Sequence, residues 1–209
     1  MSFGIMSFAS ILLSIARGAR GLLLAVAVIA AGLAVPGQAA RADDSAVEYI
    51  KRVSRELIAA NHTGSMQAFS TALNSHSHVQ AIGTYALGSY RPKLQPADRD
   101  GYFAGMIRFI SRYAATESQK YQVASLQITG PGSRTASGVV VDSKVIMKDG
   151  QSFDVQWLLQ PVAGGYRIRD AKVQVLLADY WMTPFLKDLF EKYIAENGSV
   201  QALVVALSR

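Results

Sequence analysis

The sequence predicts an α+β domain in which helices come first, an antiparallel sheet follows and helices close the chain. Three observations carry this. Apolar residues recur at helical spacing from about residue 45 to Glu117, strict alternation takes over at Tyr121 and runs to Leu177, and helical spacing returns from about 180 to 208.

Ser45 stands three residues before Glu48, the spacing of a capping box, and opens a stripe of Val47, Ile50, Val53 and Leu57. This first helix should end near Asn61 to Gly64. Met66, Phe69 and Leu73 predict a short second helix, and Val79, Ile82, Tyr85 and Ala86 a third, stopped by Gly88. Pro96 suits the first position of a longer helix, with Asp98 and Asp100 in its positive first turn. That helix sets Phe103, Met106, Ile107, Ile110, Tyr113 and Ala114 against Arg99, Arg108, Arg112 and Glu117, so it should lie on something apolar.

Val123, Ser125, Gln127 and Thr129 then alternate with Ala124, Leu126 and Ile128 before a turn at residues 130–133. Residues 134–148 form a long β-rich stretch, and Asp149-Gly150 signals a hairpin. The returning strand places Phe153, Val155, Trp157 and Leu159 on one face, and after Gly164-Gly165 the last of four strands runs from Tyr166 to Leu177. Two helical patterns, about 180–196 and 199–208, are separated by Asn197-Gly198. No internal repeat divides the chain.

The 209 residues carry 21 Lys+Arg against 15 Asp+Glu, for a formal charge of +6. That excess would suggest a nucleic-acid binder if it were spread over the domain. Half of it lies in residues 1–42, which hold Arg17, Arg20 and Arg41, no acid, and an uncharged apolar block over 21–35. A basic flank, an apolar block broken at Pro36-Gly37 and a small-x-small end at Ala40-Arg41-Ala42 describe a secretory leader. The expected organisation is a signal peptide over 1–42, cut after Ala42, and a single domain over 43–209; a retained anchor is the competing reading. No Arg-Arg pair occurs, which favours export of an unfolded chain. The remaining domain is close to neutral, and nucleic acid is not an expected partner.

Catalytic signals are sparse. There is no cysteine, which excludes thiolate metal sites, a cysteine nucleophile and disulfides. His76-Ser77-His78 reads as a solvated loop rather than a metal site, and no P-loop, nucleophile elbow or paired zinc histidines occur. No cofactor is implied. Asp170 is the one acid of interest, because alternation puts it on the same face as Tyr166 and Ile168. It is either a base in an apolar cavity, a paired carboxylate, or a residue at a bulge.

Several segments, taken in order, resemble the MlaC family of periplasmic lipid carriers, the toluene-tolerance auxiliary components of ABC transporters. IGTYALGSY at 82–90 resembles the family's "I-A-r-x-a-L-G-x-Y/W" helix end, and Pro96 to Tyr113 its long proline-initiated helix. The hairpin at Asp149-Gly150 followed by FDVQW at 153–157 comes next in the family's order, and GYRIRD at 165–170 resembles its "G-x-W-k-I-x-D"; Phe185, Leu189, Asn197-Gly198 and Leu203 follow. Two departures stand out: Tyr166 replaces the usual tryptophan, and residues 173–179 read VQVLLAD where the family has "V-x-x-E-G-V-S".

The resemblance implies a curved four-stranded antiparallel sheet packed by helices around an apolar cavity, of the NTF2- or cystatin-like kind. It implies a periplasmic, non-enzymatic protein that shuttles phospholipid between an inner-membrane ABC complex with an MCE-domain protein and an outer-membrane protein. A hopanoid-type lipid is an alternative cargo. Two readings of another class are an NTF2-like small-molecule enzyme and a non-catalytic interaction module. Face periodicity together with the family fold designates the lining: Ile82, Tyr85, Phe103, Met106, Ile107 and Ile110 from helices, and Val139, Val141, Val145, Met147, Val155, Trp157, Leu159, Ile168 and Val175 from strands.

Overall fold

The computed structural model describes residues 43–175 and 178–209, so the expected leader lies outside the described residues. Helix α1 (Asp44–Thr63) turns Ala46, Tyr49, Ile50 and Val53 inward. Its cap is Asp43 rather than the expected Ser45: Asp43 Oδ1 accepts the Ala46 N–H at 3.1 Å, and the Ser45 hydroxyl donates to the same oxygen at 2.6 Å. Asp43 is buried, and Oδ2 also accepts from Tyr166 Oη at 2.8 Å and pairs with Arg134 at 2.6 Å. These donors, the Ser45 hydroxyl first, hold its carboxyl below the ordinary aspartate range. The helix stops at Gly64 in the left-handed region, whose N–H returns to Ala60 and Asn61 carbonyls.

Helix α2 (Met66–His76) is capped by Ser65, and α3 (Val79–Ala86) by His78. The histidine stretch is therefore bound into the fold, not a solvated loop. His76 Nε2 lies 2.8 Å from Glu56 Oε2, and the His78 N–H donates to the Ile168 carbonyl at 2.8 Å. Two 3₁₀ turns, Gly88–Lys93 and Pro96–Asp98, lead into α4 (Arg99–Ser118). Pro96 thus starts a 3₁₀ turn just ahead of the α-helix.

The sheet has six strands where the sequence suggested four: β1 (Val123–Ile128), β2 (Ser133–Thr135), β3 (Gly138–Met147), β4 (Ser152–Val162), β5 (Gly165–Val175) and β6 (Ala178–Trp181). The spatial order is β1-β3-β4-β5-β6, all antiparallel, with short β2 also paired to β3. The long stretch after residue 133 folds back on itself through β2, and the chain pairs once more as β6 before helix α5 (Met182–Asn197) and helix α6 (Val200–Ser208).

Two apolar cores form instead of one. Helix α1 lies along the sheet: Tyr49, Ile50 and Val53 share a core with Val139, Val141, Leu159 and Ile168, Leu57, Leu126 and Ile128 pack against it, and Asn61 and His62 bond the start of β1. The other core is helical, with Tyr102, Met106 and Ile107 of α4 packed on Phe190 and Ile194 of α5 and on Leu203 and Leu207 of α6. Helix α4 packs on α2 and α6 rather than on the sheet. The apolar stripe of α4 thus lies on other helices, in a different core from Leu159 of β4.

Candidate functional site

Between these cores lies the middle of the sheet's inner face. Its cross-strand rows follow from the register. Val139, Leu159 and Ile168 form the innermost row, Val141, Trp157 and Ala171 the next, then Ser143, Val155 and Val173, then Val145 and Phe153. Met147 ends β3 beyond them. None of these positions carries a charge.

Packing changes along the rows. Val139, Val141 and Leu159 are at most 1% exposed beneath α1. Farther along, Val145, Met147, Phe153 and Val173 are half-buried and belong to neither core, and Val155 is buried without joining either. Large apolar side chains that point inward yet remain partly open mark, among the described residues, an apolar surface outside both cores.

The residues designated from the sequence divide accordingly. Met106 and Ile107 are buried in the helical core, with Ile82, Phe103 and Ile110 packed around it. Val139, Val141, Leu159 and Ile168 lie in the α1 core with Trp157 against them. Val145 and Met147 are half-buried and Val155 is buried, all three outside both cores. Tyr85 stands at the surface, 47% exposed. Val175 ends β5, opposite Ala178.

Asp170 is not on the inner face. The register slips so that Leu158 pairs with Asp170 and Leu159 with Ile168, leaving Arg169 as an extra residue. This bulge corrects the alternation and turns Asp170 away from Ile168. Its Oδ1 accepts the Thr183 N–H at 2.9 Å and the Ala171 N–H at 2.8 Å. Burial raises its pKa while these N–H donors pull the other way. The carboxylate thus satisfies an orphan donor at the start of α5.

A family profile described as "MlaC protein" matches residues 42–208. The chain belongs to the MlaC family. Among solved structures, it resembles a phospholipid-binding protein from Ralstonia solanacearum determined in complex with a phospholipid. The two share 19% identity, the alignment covers 79% of this chain and 95% of that one, and the TM-score is 0.57. No curated protein matches.

Other surfaces of this MlaC chain are polar. A hollow of about 390 Å³ lies between the start of α1 and the β4–β5 turn, bordered by Tyr49, Arg52, Arg134 and Tyr166. One of about 300 Å³ on the outer sheet face is bordered by Asp142, Asp154, Lys172 and Asp179. Among the described residues there is no cluster of metal-binding side chains and no helix long and apolar enough to cross a membrane.

One site residue escaped the sequence reading. Ser143 interrupts the apolar inner face of β3, is 1% exposed, donates to the Val155 carbonyl at 3.1 Å and accepts from the Trp157 indole N–H at 2.9 Å. The available signal was a hydroxyl at an inward position of an otherwise apolar strand.

Proposed function

We propose that this MlaC-family protein is a periplasmic carrier that binds phospholipid tails against the open inner face of its sheet. The observation behind this reading is the row of uncharged, half-buried side chains Val145, Phe153 and Val173 beside Val155, in neither protein core. The likeness in fold to a protein bound to phospholipid supports it.

The physical case is simple. Each buried methylene contributes about 0.8 kcal/mol, so a two-tailed lipid leaves a bilayer slowly unless another apolar surface replaces the membrane. A carrier needs an uncharged lining and an opening, and the chemistry of a catalytic centre has no part in it. In this reading Asp170 caps a helix and the protein is not an enzyme. Residues 1–42 direct export, the cargo moves between an inner-membrane ABC complex bearing an MCE-domain protein and an outer-membrane protein, and the soluble domain is the shuttle.

Native mass spectrometry of protein purified from its own periplasm, followed by lipid extraction, tests the reading. A phospholipid adduct is the expected result. A hopanoid-type adduct would change the cargo, and a bare folded protein that takes nothing from phospholipid vesicles would overturn the carrier.

A further inference from the structure

We infer that Trp157 is the end wall of the acyl site, held in place by Ser143, and that it sets the longest chain the protein accepts. The inference rests on the lipid reading above. On one side of the indole is the closed innermost row of Val139, Leu159 and Ile168, sealed by α1. On the other are Ser143 and Val155, both buried, with half-buried Val173 beside them and the open positions Val145 and Phe153 one row farther out. Trp157 is half-buried although Leu159 and Val155, its neighbours on the same face of β4, are 0% and 7% exposed. Part of the ring therefore borders open space.

Its own row leaves no other candidate for a wall. Val141 is fully buried in the α1 core, and Ala171 is too small to fill the width of a strand pair. Only the indole closes this row. A bulky ring could still swing aside, and Ser143 prevents that by accepting its N–H. Burying a hydroxyl on an apolar face is costly unless it is paired, and here both of its bonds serve the position of the ring. Acyl chains offer no hydrogen bonds to read, so a fixed wall is a direct way for such a site to distinguish them.

Delipidated protein would be incubated with vesicles containing a graded mixture of phosphatidylglycerols of increasing saturated chain length, and the bound species read by native mass spectrometry. One inward step along a strand face is about 6.6 Å and an extended chain advances about 1.3 Å per carbon, so W157A should move the preferred chain upward by about five carbons. W157F keeps a ring but loses the N–H that Ser143 accepts, so it should broaden the distribution about the wild-type length, as S143A should. V155F adds bulk one row nearer the opening and should shift the preference to shorter chains.

Wild-type protein that takes up no lipid overturns the lipid reading and this inference together. Wild-type protein that binds, with a folded W157A variant of unchanged chain preference, overturns the wall alone. If circular dichroism shows W157A to be unfolded, V155F decides, and an unshifted V155F distribution overturns the wall.

Discussion

The carboxylate of Asp170 accepts the backbone N–H of Thr183 at 2.9 Å, which couples the bulge in β5 to the first turn of α5. The Thr183 hydroxyl returns to the Arg169 carbonyl at 3.3 Å, so the two segments hold each other from both sides. An acid that alternation assigns to the apolar face is a joint between strand and helix.

Asp170→Asn should keep the acceptor and remove the cost of burying a charge, leaving stability at neutral pH unchanged or slightly raised. Asp170→Ala removes the acceptor and should cost about 1 to 2 kcal/mol in urea denaturation. Because burial raises the Asp170 pKa, the folded state binds this proton more readily than the unfolded chain. Its contribution therefore improves as pH falls through the folded value, and D170N should lack that gain.

Glu191 should contribute to the acid limb alongside Asp43. It accepts from Lys187 Nζ at 2.6 Å and from the Ser89 N–H at 2.8 Å, and these partners, Lys187 first, lower its pKa to about 2. A lowered acid stabilises fully above its unfolded value and progressively less below it. Thermal melts of wild type should lose margin between pH 4.5 and about 2, and E191Q should show a flatter profile across that window. Gly88 belongs to the same joint: its φ of 50° is left-handed, and an added Cβ would run into the Glu191 carboxylate. G88A should lower the melting temperature at neutral pH as well.

Gly105 lets α4 and α6 approach closely. A Cβ there would come within 2.8 Å of Leu207 Cβ and 3.2 Å of the Leu207 carbonyl carbon. Backbone cannot rotate away as a side chain can, so G105A should cost about 1 to 3 kcal/mol. Chemical denaturation with a probe on α6 would read the loss.

A charge on the open face and a charge in a closed core should behave differently. Phe153→Asp places a carboxylate where the side chain is half-buried and in neither core, so the protein should fold and lose bound lipid. Ile107 is 3% exposed within the helical core, and Ile107→Asp should cost several kcal/mol and unfold it. Circular dichroism beside lipid extraction separates the two outcomes.

Much of the architecture was readable from local chemistry. Alternation located the four longer strands, and Asp149-Gly150 formed its expected turn, with Gly150 at φ 88° and the Asp149 carboxylate accepting the Gln151 N–H. Gly88, Gly64 and Asn197-Gly198 ended helices where expected. The misses share a cause, which is that their deciding partners are remote in sequence. Asp43 outcompetes Ser45 as a cap because Tyr166 and Arg134 also hold it. The Asp170 bulge depends on donors at the start of α5. Period tells which way a side chain points and not what stands opposite, so it could not separate Met106 and Ile107 from Val145 and Val155. Ser143 was passed over because its partner, Trp157, lies on the next strand.

The separation of the two cores has a mechanical consequence. A protein with one continuous interior transmits any swelling to all of its packing, whereas here the apolar cluster under α1 and the one among α4, α5 and α6 are distinct, joined by α2, which packs on both α1 and α4. The space between them can widen or narrow while both blocks keep their internal order. Occupancy would then act like a keystone, and hydrogen exchange should show two blocks with independent protection when empty and a common protection when the space is filled.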